Sequence, residues 1–242
     1  MIFISETGQK SGRIKVAVID SGIDTQVSGL NGFVIHSTGF GIDKEGYIKE
    51  NNTLPVRNLH GTAVALIIRH ICCDAEFISL NVLDEKLSAD GRVLAYALSQ
   101  VFDYSPDIIH MSLGTIKKRY IFPFKKIVGE AKRLNIPLVA AAENTGRISY
   151  PAYLRGVIGV KADVFSNCMN YSYRRGFFYG PIGTEGINSI EEIPAISKSR
   201  GTSMAAAYIS GHLAEILKKN KELSPGEARE ALKRNMFIGG DL

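Results

Sequence analysis

The chain has 242 residues, 45% of them apolar and 22% charged, with a formal net charge of +5 from 29 basic and 24 acidic side chains. That balance suits a folded chain with a substantial buried core and excludes a disordered one, and no apolar run is long enough to span a bilayer. The mild positive charge, with short runs at Lys117–Arg119 and Lys233–Asn235 and no base-stacking motif, gives no nucleic-acid footprint.

The opening stretch, "MIFISETGQKSGR", is interrupted by Ser5 and Glu6 and does not read as a signal peptide. "IKVAVID", Ile14–Asp20, reads as a buried strand ending in an acid. Residues Asn31 to Leu59 read as irregular and polar. Gly61–Ile71 has the pattern of a helix and Glu76–Leu83 that of a strand. Ser88–Phe102 is predicted as a helix with polar start signals, and Asp107–Gly114 as a strand running into glycine. A helix over Phe124–Asn135 leads to strands at Ile136–Ala142 and Gly156–Ala162. Residues 163–200, with "YSYRRGFFYGPIG", suggest hairpins or loops near a surface groove. An amphipathic helix carrying Ser203 follows. The last helix, "SPGEAREALKRN", has Ser224 at the cap, Pro225 just inside and Glu227 in capping-box position.

Strand and helix alternate through most of the chain. The expected fold is α/β: one domain over residues 1–242, built on a mostly parallel, doubly wound sheet with helices on both faces. Cys72, Cys73 and Cys168 are odd in number, two are adjacent, and no metal-ligand spacing is present. Free thiols in a reducing compartment, the cytoplasm, are the expectation.

In such a sheet, ligands and chemistry collect at the carboxyl ends of the strands. Asp20, Ser112–Gly114 and Asn144 fall at strand ends; His60 and Ser203 precede or open helices. Each has an ordinary reading. Ser203 is a helix cap, His60 a structural histidine, Asn144 a turn residue. Asp20 with Asp24 is a magnesium or phosphoryl-acceptor pair, although no convincing P-loop accompanies them. Together, an acid, a histidine, an amide and a hydroxyl at element ends form the kit of a nucleophilic hydrolase.

The segments "VAVIDSGID", "HGTAVA", "IHMSLG", "AAAENTG" followed by "YPA", and "GTSMAAAYISG" occur in that order. Each resembles the matching segment of the subtilisin-like serine proteases, and the likeness runs from about Ile14 to Leu217. The resemblance implies a serine endopeptidase with Ser203 as nucleophile, His60 as general base, Asp20 as the residue orienting it, and Asn144 as an oxyanion donor. It assigns Ser112, Leu113 and Gly114 to the groove for an extended peptide. It sets Glu143 and Ser149 at pocket positions often held by glycine, with Glu143 expected to point outward rather than into the pocket. Ala207 and Tyr208 stand where the family usually has proline and histidine, so packing at the start of that helix should differ.

The stretch between the His60 helix and "FISLNVL" is too short for a calcium loop that many relatives carry, and there is no room before Asp20 for a folding pro-segment. The resemblance therefore implies an enzyme without metal or cofactor. Its partner is a peptide or protein, not nucleic acid or membrane. The expected task is intracellular processing, such as trimming a leader from a precursor; a general cytoplasmic peptidase and a peptide-binding protein that has lost catalysis remain as alternatives.

Overall fold

A computed structural model of the chain describes residues 12–52, 55–84 and 86–236. The reading of the first eleven residues as lacking a signal peptide lies outside them. Among the described residues, nine strands form one sheet: β1 (Ile14–Asp20), β2 (Val34–Ile42), β3 (Ile48–Asn51), β4 (Ala75–Asn81), β5 (Ile108–Met111), β6 (Leu138–Ala141), β7 (Ile158–Asp163), β8 (Ser172–Arg174) and β9 (Phe177–Pro181). Their order is β3-β2-β4-β1-β5-β6-β7-β9-β8. The pairs from β2 through β9 are parallel; only β3 on β2 and β8 on β9, at the two edges, are antiparallel. The helices are α1 (His60–Ile71), α2 (Gly91–Gln100), α3 (Ile121–Arg133), α4 (Asn188–Glu191), α5 (Thr202–Lys219) and α6 (Pro225–Arg234).

The sheet is covered on both faces, as the α/β expectation requires. Side chains of β1 alternate between the layers. Ile14, Val16 and Val18 pack with Ala63 and Ile67 of α1, Ala205 and Ile209 of α5, and Leu232 of α6. Ala17 and Ile19 pack on the other side with Leu94 and Leu98 of α2 and Phe124 of α3. A strand buried on both faces needs an unbroken apolar run, and "IKVAVID" supplies one. α6 carries both arms of the capping box predicted from Ser224 and Glu227. Helix α5 passes close to α1 because Gly211 has no side chain: a Cβ there would lie 2.6 Å from the Ile71 Cβ. No helix among the described residues is long and apolar enough to cross a membrane.

The stretch read as irregular, Asn31 to Leu59, departs from expectation. It contains β2, nine residues long and parallel to β4. Its apolar pattern is broken by His36, Ser37 and Thr38, yet Thr38 is buried. The Thr38 hydroxyl lies 2.8 Å from Glu50 Oε1 and 2.7 Å from Asn52 Oδ1, on and beside the antiparallel neighbour β3. A polar side chain is tolerated in a covered strand once its hydrogen bonds are met. The loop region 163–200 does hold a hairpin, β8–β9, but β9 also extends the parallel sheet through β7. Gly180 makes that possible: a Cβ there would meet the Ala205 carbonyl of α5 at 2.6 Å.

Candidate active site

β1 lies centrally, with β4 on one side and β5 on the other. Chain order reverses there, and the carboxyl ends open a crevice of the kind α/β sheets use for ligands. Asp20 ends β1 with no exposed surface. His60 opens α1, and its Nδ1 lies 2.8 Å from Asp20 Oδ1 and 3.0 Å from Oδ2.

Residues around the pair hold it in place. The Ser21 hydroxyl donates to the Asn58 carbonyl at 2.8 Å and accepts from the Gly61 N–H at 3.1 Å, tying the end of β1 to the start of α1. Asn58 Oδ1 accepts the His60 N–H at 2.9 Å. Gly61 must be glycine for the two to approach: a Cβ would lie 2.4 Å from the Gly22 carbonyl. Ser21 and Asn58 carried no sequence signal beyond their closeness to Asp20 and His60.

The pair is electrostatically coupled. Burial alone would raise the Asp20 carboxyl. The His60 charge and hydrogen bond, a hydrogen bond from Ser112 and the Ser21 N–H outweigh it and hold the carboxyl below its usual range. Burial likewise opposes charge on His60, and the Asp20 carboxylate overrides it, raising the imidazole above its ordinary value of 6.5. Nδ1 therefore carries the proton facing Asp20, leaving Nε2 as the basic nitrogen.

Ser203 occupies the first turn of α5 but does not cap it. The cap position is Gly201, at φ 134°, a left-handed region costly for residues with a side chain. The Ser203 hydroxyl donates instead to the Ser112 carbonyl at 3.0 Å, and no hydrogen bond joins it to His60 among the described residues. The missing cap comes from across the fold: Asn144, just beyond β6, accepts the Thr202 N–H on Oδ1 at 3.0 Å. With Oδ1 so engaged, the Asn144 amide protons are turned toward other partners. The Ser203 N–H, in the first helical turn, has no intrahelical acceptor. The Ser203 hydroxyl and this free N–H both lie at the positive end of α5.

Beyond β5, Thr115 and Tyr150 exchange two backbone hydrogen bonds, of 2.9 and 2.8 Å. Gly114 permits this, since a Cβ there would lie 2.7 Å from the Tyr150 carbonyl. A cavity of about 190 Å³ lies beside Leu113 and Gly114, with Leu83, Leu87 and Tyr120 on its walls together with the polar Ser88, Thr115 and Lys117. Ser149 is buried and accepts the Glu143 N–H at 2.9 Å. The Glu143 carboxylate folds back on its own loop. Oε2 accepts from the Thr145 N–H at 2.9 Å, the Thr145 hydroxyl at 2.6 Å and the Arg147 N–H at 3.2 Å, while Oε1 takes the Arg147 guanidinium at 3.0 Å. Those bonds, led by the Arg147 guanidinium, bring its pKa down to about 2. Arg147, which sequence reasoning passed over, neutralises the acid that stood out.

Asp24 accepts the Gln26 N–H at 2.9 Å, an ordinary turn contact, and no group of three or more His, Cys, Asp or Glu is placed to hold a metal among the described residues. Only Cys72–Asp74 join α1 to β4. Cys72, Cys73 and Cys168 are free thiols. Tyr208 is buried, and its hydroxyl donates to the Gly183 carbonyl at 3.1 Å.

Residues 11–240 match the Subtilase family. The chain is 27% identical over 235 residues to the cell wall-associated protease of Bacillus subtilis (strain 168), aligning over 90% of its own length and a quarter, 25%, of that protein. It is 29% identical over 235 residues to the major intracellular serine protease of the same organism, covering 89% of this chain and 72% of the relative. Among solved structures, Sphericase superposes with a TM-score of 0.71 at 24% identity, over 93% of this chain and 83% of that one, a likeness of fold. The chain belongs to the subtilase family, the subtilisin-like serine endopeptidases, whose substrates are peptides and proteins.

Proposed function

We propose that Asp20, His60 and Ser203 hydrolyse peptide bonds through an acyl-enzyme. The observation that carries this reading is the His60 Nδ1 contact of 2.8 Å to a fully buried carboxylate, in the same crevice as a hydroxyl at the N-terminus of α5. Rotation about the Ser203 Cα–Cβ bond moves the hydroxyl off the Ser112 carbonyl toward His60 Nε2. Ser203 Oγ then attacks the scissile carbonyl carbon as Nε2 takes its proton. The Asn144 amide and the Ser203 N–H donate to the oxyanion that forms. His60 returns the proton to the leaving amine, Asp20 stabilising the imidazolium meanwhile. Water enters, loses a proton to His60 and attacks the acyl carbon, and Ser203 Oγ leaves with that proton.

The substrate lies extended along Ser112, Leu113 and Gly114, paired like an added strand. The cavity beside Leu113 and Gly114 supports a selective groove, and the likeness to an intracellular protease supports a cytoplasmic processing role, such as removing a leader from a precursor. The free thiols accord with that compartment. The substrate is a peptide or protein, with no nucleic acid or membrane involved. The test is peptide-library cleavage read by mass spectrometry, with wild type and Ser203→Ala side by side. We expect a restricted set of cut sites that vanishes in Ser203→Ala at unchanged melting temperature. Turnover by Ser203→Ala would overturn the assignment, and cleavage without sequence preference would replace processing with general peptidase activity.

A further inference from the structure

His110 is a buried titratable side chain that the proposed reaction leaves unused. It sits on β5 with no exposed surface. Its Nδ1 lies 2.8 Å from the Ser210 hydroxyl of α5 and its Nε2 lies 2.9 Å from the Ser112 hydroxyl. Ser112 meets the site twice: its carbonyl accepts from Ser203 Oγ at 3.0 Å, and its hydroxyl is near enough to Asp20 to help hold that carboxyl below its usual range. β1 and β5 are neighbours with Ile19 opposite Met111, which sets Asp20 and Ser112 at one level of the sheet.

One arrangement satisfies the site with Asp20 ionised. An ionised carboxylate only accepts, so a Ser112 hydroxyl turned to Asp20 gives it its single proton. The Ser112 oxygen then accepts, and the donor facing it is His110 Nε2–H. A neutral imidazole protonated on Nε2 presents a lone pair at Nδ1, and the Ser210 hydroxyl donates to that. The chain of bonds runs from Ser210 through His110 and Ser112 to Asp20. A second proton on His110 would turn Nδ1 into a donor and force Ser210 to reverse. Burial pushes the imidazole down to about 4, with Asp20 raising it and the His60 charge lowering it further.

We infer that His110 is a positioning residue: locked by Ser210, it fixes the Ser112 hydroxyl on Asp20 and so orients the carboxylate that faces His60. This rests on the roles proposed for Asp20, His60 and Ser203. The consequence is electrostatic as well as geometric. A hydrogen bond from Ser112 shares the Asp20 charge; without it, more of that charge acts on His60 and raises its pKa.

Two measurements test it. The first is ¹⁵N–¹H correlation of the imidazoles at neutral pH in Ser203→Ala, a background chosen to prevent self-digestion. We expect His110 neutral with its proton on Nε2, and a mixed tautomer once Ser210→Ala is added. The second is steady-state kinetics of Ser210→Ala and His110→Phe in the otherwise native chain. We expect kcat to fall about threefold and about tenfold respectively at unchanged KM, and the acid limb of kcat/KM to move up by roughly half a pH unit in both. A role limited to packing would leave that limb in place. A proton on His110 Nδ1, or wild-type kcat and an unmoved limb in Ser210→Ala, would overturn the inference. If His110→Phe does not fold, Ser210→Ala and the tautomer decide. Turnover by Ser203→Ala would sink the underlying triad separately, and the tautomer would still be read on its own.

Discussion

The Asn144 amide has two jobs, one seen and one proposed, and two substitutions separate them. Oδ1 accepts the Thr202 N–H at 3.0 Å and so caps α5 from outside the helix. Nδ2 is the proposed oxyanion donor. Asn144→Asp keeps an oxygen for Thr202 and replaces the donor with a carboxylate oxygen that repels the oxyanion. Removing one oxyanion donor typically costs about 2.7–4 kcal/mol of barrier stabilisation, or about 10²–10³ in kcat. We expect Asn144→Asp to lose at least that much kcat with KM little changed. Its melting temperature should hold or rise, because a negative charge favours a helix N-terminus. Asn144→Ala deletes both functions. It should lose a similar factor in kcat and also the cap, worth about 1 kcal/mol. For a chain of this size that lowers the melting temperature by roughly 2–4 °C. Initial rates on a cleaved peptide and thermal melts of all three proteins suffice. Near-native kcat in Asn144→Asp would refute the donor role; an unchanged melt in Asn144→Ala would refute the cap.

Since Asp20 raises His60, kcat/KM should climb with pH through an apparent pKa above 6.5, as the base must be neutral to act. Asp20→Asn removes the charge that opposes burial, so the acid limb should drop below that value, and a pH-rate profile of residual activity reads the shift. The same coupling has two signs for stability: the raised His60 contributes fully below 6.5 and is lost as pH rises through its folded pKa, whereas the lowered Asp20 contributes above 3.8 and is lost as pH falls through its own. Because Arg147 neutralises Glu143, the pocket should show no electrostatic preference for Lys or Arg before the cut. The Arg-to-Leu ratio of kcat/KM should be the same in Glu143→Gly; a ratio that collapses would mean the carboxylate swings to the substrate. With only Cys72–Asp74 joining α1 to β4, a calcium-selective chelator should leave both activity and melting temperature unchanged, and a fall of many degrees would reveal a site elsewhere.

The legible parts of the fold were those where local and tertiary demands agree. "IKVAVID" is buried on both faces and becomes β1 with the predicted limits. The α6 cap was readable because its chemistry is local. β2 was not, since Thr38 depends on Glu50 and Asn52, partners supplied only once β3 folds back on it. In the site, residue types and order were visible in the motifs, but their hydrogen bonds were not. No spacing rule reveals that Asn144 caps a helix beginning at Thr202, or that Ser203 rests on the Ser112 carbonyl. Glu143 attracted attention as a lone acid, and its neutralisation by Arg147 depends on how the loop turns.

The most direct test of the proposed chemistry is covalent. A fluorophosphonate phosphorylates a serine only where that hydroxyl is activated by a base and its adduct is stabilised by oxyanion donors. Intact-mass measurement followed by peptide mapping should find one adduct per chain, on Ser203, with none in Ser203→Ala and strong suppression in Asp20→Asn. An adduct on another residue, or equal labelling of Ser203→Ala, would contradict the triad.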